Sequence, residues 1–154
     1  NTMTGGRIRR LRDKINNERF FLTYGDGLSD VNINSLLDFH KSHGKLVTLT
    51  AVRPNARFGE LKIINDKIES FEEKPQLQSG WINGGFMVIE PEFINFIKED
   101  STMLERSPLI EASKIGQLMA YRHEGFWQCM DNKRDLTVLN EMISKDQMPW
   151  LNKN

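Results

Sequence analysis

The chain has 154 residues, 38% of them hydrophobic, enough for one domain with a sizeable core and too many for a disordered segment. Its 21 basic residues balance 21 acidic ones, so no net field draws it to nucleic acid or to an anionic membrane. No apolar run approaches the ~20 residues of a bilayer span, and the single cysteine, Cys129, excludes an internal disulfide framework and fits a reducing cytoplasm.

The chain opens Asn1-Thr2-Met3-Thr4-Gly5-Gly6, on a helix start and not on a first strand, so we expect part of a longer protein. Residues 5–16 read as a helix: Ile8, Leu11 and Ile15 share a face, with Thr4 as N-cap and Asn16-Asn17 as the stop. The opposite face carries Arg7, Arg9, Arg10, Arg12 and Lys14, in most helices a solvated surface. It lacks the interleaved aromatics of a nucleic-acid site. Arg7 differs because it lies in the first turn, where free N–H groups and the helix dipole favour an anion. Residues 20–24 form a continuous apolar run, as a strand buried on both faces would.

Residues 33–43 read as an amphipathic helix with Leu36, Leu37, Phe39 and His40 near one side. Residues 46–52 are rich in β-branched side chains and precede Pro54, as a strand would. Residues 58–64 and 67–71 flank Asn65-Asp66, a hairpin turn. Residues 75–80 are a polar loop, and 82–89 a strand around Gly84-Gly85. Pro91 opens a short helix to 97, and Pro108 sits in the first turn of another over 107–116. Residues 118–122 and 126–130 read as short strands, and 133–145 as a helix with Leu136, Leu139, Asn140 and Ile143 on one side. Without repeat, linker or low-complexity tract, the pattern is one α/β domain with a mixed sheet over residues 1–154.

Four polar groups hang on the ends of these runs. Asp26 stands in Gly25-Asp26-Gly27 at a strand end, where open α/β sheets bind ligands, and its glycines let a bulky ligand approach the backbone. The alternative is a structural turn aspartate. Asp30 is too distant in sequence for a metal-binding Asp-x-Asp pair and reads as a cap for the helix near Asn32. In Glu72-Glu73-Lys74-Pro75, the proline keeps Lys74 extended, so its ammonium can meet a phosphate while Glu73 accepts from hydroxyls; an exposed charged strand end is the alternative. Asn83-Gly84-Gly85 offers an amide and bare backbone to a polyhydroxylated ligand, or is a β-bulge with close packing. Asp131, after 126–130, is a second strand-end carboxylate or a helix cap with Asn132. Together Asp26 and Asp131, with a lysine and Gly-Gly between them in sequence, suit a metal and a phosphate. Cys129 reads as a small buried hydrophobe, and His40, His43 and His123 lack zinc-ligand spacing.

The ordered series Met3-Thr4-Gly5-Gly6-Arg7, Thr23-Tyr24-Gly25-Asp26-Gly27, Arg57-Phe58-Gly59, Phe71-Glu72-Glu73-Lys74-Pro75, Ile82-Asn83-Gly84-Gly85-Phe86 and Gly125-Phe126-Trp127-Gln128-Cys129-Met130-Asp131 resembles the sugar-1-phosphate nucleotidyltransferases. Thr-Gly-Gly-Arg and Arg-Phe-Gly favour their cytidylyl branch over the thymidylyl and uridylyl ones. The resemblance implies a Rossmann-like nucleotide-diphospho-sugar transferase fold, incomplete at its N-terminus. It implies transfer of a cytidylyl group from CTP to glucose 1-phosphate with Mg2+, giving CDP-glucose for dideoxy sugars of bacterial surface polysaccharide. By the same resemblance Asp26 and Asp131 hold the metal, and Thr4 and Gly5 lie near cytosine and ribose. Arg7 lies near the triphosphate and Gly25 beside the substrate. Glu73, Asn83 and Gly84 hold glucose, and Lys74 steadies the sugar phosphate.

The family's first strand and its glycine-rich loop, with an arginine and a later lysine, have no counterpart here. We therefore expect a missing N-terminal segment, exposed sheet edges and an inactive isolated chain. Trp150, expected at the surface, and the apolar segments near both ends suggest a homo-oligomer. Two rival readings stay open: a metal-dependent glycosyltransferase, for which Asp26 and Asp30 make a poor acid pair, and a non-catalytic binding module.

Overall fold

The computed structural model describes residues 2–54, 60–72 and 80–151. Helices α1 (Thr4–Arg10) and α2 (Arg12–Ile15) lead into strands β1 (Phe20–Thr23) and β2 (Gly27–Ser29) and helix α3 (Ile33–His43). Then come β3 (Val47–Val52), the hairpin β4 (Glu60–Ile64) and β5 (Lys67–Glu72), β6 (Ile82–Ile89) and a 3-10 turn over Pro91–Phe96. Helix α4 (Ser107–Lys114), β7 (Leu118–His123), β8 (Trp127–Cys129) and α5 (Lys133–Ser144) complete the order, with a last 3-10 turn at Pro149–Leu151.

The main sheet runs β1-β6-β3-β7. Strand β6 is antiparallel to both neighbours and β3 is parallel to β7, so the sheet is mixed, as expected. The alternation along β3 divides the packing. Val47 faces the larger core, with Met87, Ile89, Phe93, Ile94, Leu104 and Ile8 from α1. Thr48, on the opposite face, meets α3 through His40. Helix α3 forms where the sequence places it: Asn32 caps it by accepting the Ser35 N–H at 2.9 Å, and Gly44 ends it at φ 62°. The hairpin turn is also as read, because Asn65 and Asp66 both take positive φ (48° and 64°).

Five expectations change. The helix over 5–16 breaks at Leu11, although Asn16 stops it in the left-handed conformation (φ 51°). Met3, not Thr4, is the N-cap; the Thr4 hydroxyl instead donates to Glu105 at 2.8 Å and accepts the Leu104 N–H at 2.9 Å. Strand β1 is not buried on both faces: it lies at the sheet edge and Phe21 is 48% exposed. Asp30 does not cap α3; its carboxylate bonds His123 Nε2 at 2.8 Å. Trp150 is half-buried against Phe126, 5.3 Å between ring centroids, so it is not a free surface anchor.

Strand β2 was not foreseen. Three residues carry no period, and it exists through its antiparallel partner β8, pairing Gly27 with Cys129 and Ser29 with Trp127. This short ribbon sets the geometry of the site.

Candidate active site

Between α1 and β1 lies an open cleft of about 520 Å³. Its apolar wall is Ile8, Leu11, Leu22 and Leu104; its polar groups are Thr4, Arg7, Tyr24, Asp26 and Glu105. Helix α1 can approach this closely because Gly5 and Gly6 lack side chains. A Cβ on Gly6 would stand 2.0 Å from the Asp100 carbonyl oxygen, and one on Gly5 2.8 Å from that of Thr102. Both glycines thus have a packing reason alongside the ligand role considered for Gly5. Arg10 closes the same contact, donating to Asp100.

Three tethers draw the sequence-selected residues toward one end of the sheet. The Tyr24 N–H donates to the Gly85 carbonyl at 3.1 Å, carrying β1 past the bulge in β6. The Met130 N–H donates to the Asp26 carbonyl at 2.8 Å, which sets Asp26 beside the chain that turns into Asp131. Trp127 Nε1–H donates to the Gly84 carbonyl at 2.8 Å and pins the β2–β8 ribbon onto β6. Asp26, Asp131, Asn83 and Gly84 are therefore neighbours along a connected backbone frame. Thr4, Arg7, Gly25 and Asp26 belong to the cleft or its rim. Glu73, Lys74 and Arg57-Phe58-Gly59 lie outside the described residues.

Asn83-Gly84-Gly85 is a β-bulge, the packing alternative weighed for it. Leu49 pairs with Met87 and Ala51 with Asn83, so β6 carries two extra residues. Gly85 takes φ 82°, with Tyr24 Cδ2 only 2.7 Å from a would-be Cβ. The Asn83 side chain accepts the Gly85 N–H at 3.0 Å and donates to the Tyr24 hydroxyl at 3.4 Å. The bulge and a ligand role are compatible, because a bulge re-aims a side chain, and here the Asn83 amide reaches the Tyr24 hydroxyl.

Sequence reasoning missed Glu105. Its Oε1 accepts from the Tyr24 hydroxyl at 2.7 Å and its Oε2 from Thr4 at 2.8 Å, joining α1 to β1 across the cleft. Burial pushes the Tyr24 phenol far above the ordinary tyrosine range, reinforced by its bond to Glu105. Partial desolvation of its carboxyl opposes ionisation of Glu105, but the hydrogen bonds from Tyr24 and Thr4 prevail and hold it below the usual range. Contacts 81 and 101 residues apart leave no local signature.

Cys129 is not fully buried as expected. It is half-buried and its thiol donates to Asp131 Oδ2 at 3.2 Å. Asn132 caps α5 by accepting the N–H groups of Arg134 and Asp135, while Asp135 accepts the Asp131 N–H at 3.1 Å. Asp26 and Asp131 are both exposed carboxylates. Hard oxygen donors of this kind suit Mg2+, which takes one or two carboxylates and completes its shell with water and phosphate oxygens.

A family profile described as nucleotidyl transferase matches residues 4–140. The chain belongs to this family. A glucose-1-phosphate cytidylyltransferase of Salmonella typhimurium is 45% identical over 150 residues, covering 97% of this chain and 58% of the relative. A Bacillus subtilis protein named a probable glucose-1-phosphate cytidylyltransferase is 38% identical over 97% of this chain and 59% of its own length. The nucleotidyl transferase chain described here thus spans less than two thirds of these relatives. The crystal structure of HddC from Yersinia pseudotuberculosis superposes with a TM-score of 0.68 at 21% identity, over 92% of this chain and 63% of that one, which shows that the two share a fold. Among the described residues, no helix is long and apolar enough to cross a membrane.

Proposed function

We propose that this chain carries the sugar-phosphate and metal side of a glucose-1-phosphate cytidylyltransferase, which makes CDP-glucose and pyrophosphate from CTP and glucose 1-phosphate. The observation that carries the reading is the tethering of Asp26, Asp131 and Asn83-Gly84 into one frame beside a cleft lined by Thr4 and Arg7. The relatives' 58% and 59% coverage fits a phosphate cradle for CTP built by a segment outside these 154 residues.

In this reading a phosphate oxygen of glucose 1-phosphate attacks the α-phosphorus of CTP, and the bond to the β-phosphate oxygen breaks to release pyrophosphate. The nucleophile is already anionic, so the site needs no general base; it needs two polyanions held in line. Asp26 and Asp131 would hold Mg2+, which would supply charge neutralisation during phosphoryl transfer. Arg7 offsets triphosphate charge at the first turn of α1, and Lys74 does the same for the sugar phosphate. Glu73, Asn83 and the Gly84 backbone orient the glucose hydroxyls, while Thr4 and Gly5 border the base and Gly25 leaves room for the substrate. The product is a nucleotide sugar of the kind consumed in surface-polysaccharide synthesis, and the enzyme works in the cytoplasm as a homo-oligomer.

The test is pyrophosphate release from CTP and glucose 1-phosphate with Mg2+, for the chain alone and for the chain supplied with the portion of the Salmonella relative that it does not cover. Turnover in the mixture alone is the expected result. Full turnover by the 154-residue chain would overturn the need for a second segment. A folded, CTP-binding mixture that releases no pyrophosphate would favour a binding module instead. Running UTP and dTTP beside CTP decides between the cytidylyl, uridylyl and thymidylyl branches.

A further inference from the structure

Asp131 is held from more sides than a helix cap requires. Strand β8 ends at Cys129, two residues before Asp131. The Cys129 thiol donates to Asp131 Oδ2 at 3.2 Å, a weak hydrogen bond that favours one rotation of the carboxylate group. The backbone beneath it is fixed as well. Met130 donates to the Asp26 carbonyl at 2.8 Å on one side, and on the other the Asp131 N–H donates to Asp135 Oδ2 at 3.1 Å.

Asp135 itself is an unusual choice for that second role. It is an acid at 8% exposure, in the first turn of α5. Asn132 already satisfies two of the helix's free N–H groups, those of Arg134 and Asp135. Sulfur, Asp131 and Asp135 bring their donor atoms within 4.8 Å of one another.

We propose that Cys129 and Asp135 are positioning residues for Asp131: the thiol sets the rotation of its carboxylate and Asp135 sets its backbone, so that Asp131 meets a divalent cation already oriented. The inference rests on the metal role assigned to Asp131 above. Partners of this kind commonly change metal affinity by about 10–100-fold when removed. The thiol is the sharper case, because serine keeps a donor at that position and alanine does not.

The experiment is Mn2+ titration of the chain supplied, as above, with the portion of the Salmonella relative that it does not cover, in the presence of CTP and against a CTP-only blank, reading the free ion by electron paramagnetic resonance, with thermal melts of each metal-free variant. Asp131→Asn is expected to abolish the tight Mn2+ site. Cys129→Ala is expected to weaken it about tenfold, and Cys129→Ser to stay within about threefold of the parent. Asp135→Ala is expected to weaken it as well. A lower melting temperature in Cys129→Ala with unchanged Mn2+ affinity would overturn the positioning role and leave a packing role. Equal affinity in the parent, Cys129→Ala and Cys129→Ser, with Asp131→Asn still defective, would overturn it too while sparing the metal reading. An Asp131→Asn variant that binds Mn2+ like the parent, or a parent that binds none, would overturn the metal reading itself and this inference with it.

Discussion

The Tyr24 hydroxyl donates to Glu105 Oε1 at 2.7 Å while Thr4 donates to the other oxygen at 2.8 Å, so a single carboxylate ties the first helix to the first strand. Tyr24 is half-buried and its bond is the one with energetic weight; Glu105 is exposed, and its bond to Thr4 counts for less. Glu105→Ala is expected to cost about 1–2 kcal/mol and Tyr24→Phe about 1 kcal/mol. The double variant should cost less than their sum by about 1 kcal/mol, since both remove the same contact. Urea denaturation of the four proteins measures this cycle. Strict additivity would mean that the bond does not contribute to stability.

The glycines separate packing from ligand access. Gly6→Ala puts a methyl 2.0 Å from the Asp100 carbonyl oxygen, a backbone atom that cannot swing aside. A loss of about 3 kcal/mol or more is expected, the upper end for overpacking. Gly25→Ala meets nothing within 4 Å, so its stability should stay within about 0.5 kcal/mol. If Gly25 lies against the substrate as proposed, the same variant still weakens binding of CTP or glucose 1-phosphate. Melting curves and calorimetric titration on the two variants test both halves. A strongly destabilised Gly25→Ala would contradict the open rim.

Much of this frame was legible in the sequence, and the reasons are local. Helix α3 has an apolar stripe, an Asn cap and a Gly stop, all within a dozen residues. Asn65-Asp66 accepts the two left-handed conformations that a tight hairpin demands. Asp26, Asn83 and Asp131 stand out in the sequence because each borders an apolar run. What failed was long-range. Strand β2 exists only against β8, and the Glu105 contacts span 81 and 101 residues. Thr4 satisfied the rule for an N-cap, but Glu105 and the Leu104 N–H claimed its hydroxyl. Cys129 looked apolar because composition does not show which carboxylate will stand beside a thiol.

Stability should fall in mild acid because of two histidines. The Lys45 N–H donates to His43 Nδ1 at 2.9 Å, which places the ring proton of neutral His43 on Nε2, where it faces Thr48 Oγ1 at 2.7 Å. Thr48 then donates to His40 Nδ1 (2.8 Å), and His40 Nε2–H donates to Glu90 (3.1 Å), which Arg19 also holds (2.7 Å). Burial pushes both histidines below the ordinary range; at His40 it outweighs the opposing pull of Glu90, and at His43 the charges of His40 and Lys45 add to it. The unfolded chain therefore binds more protons than the folded one in mild acid. This contribution is fully present above the ordinary histidine value of about 6.5 and is lost as pH falls below it, by at most about 1.4 kcal/mol per group per pH unit. Urea midpoints between pH 7.5 and 5 should drop, and His43→Gln should flatten the slope. A midpoint independent of pH over that range would refute the network.

Trp127 offers the cleanest way to move the site without unfolding the sheet. Its indole N–H donates to the Gly84 carbonyl at 2.8 Å, linking the ribbon flanked by Asp26 and Asp131 to the bulge bearing Asn83. Trp127→Phe keeps an aromatic ring but removes the donor, so about 1 kcal/mol of stability should be lost. In the complemented enzyme proposed above, turnover should fall by more than that figure implies. Small misplacements of positioning groups cost up to about 100-fold, against the roughly fivefold that 1 kcal/mol represents in an equilibrium. Melting temperature and pyrophosphate release, measured on the same preparation, separate the two effects. Turnover that falls no further than stability would mean that the ribbon holds its place without Trp127 and that the Asp26–Asn83 geometry is set elsewhere.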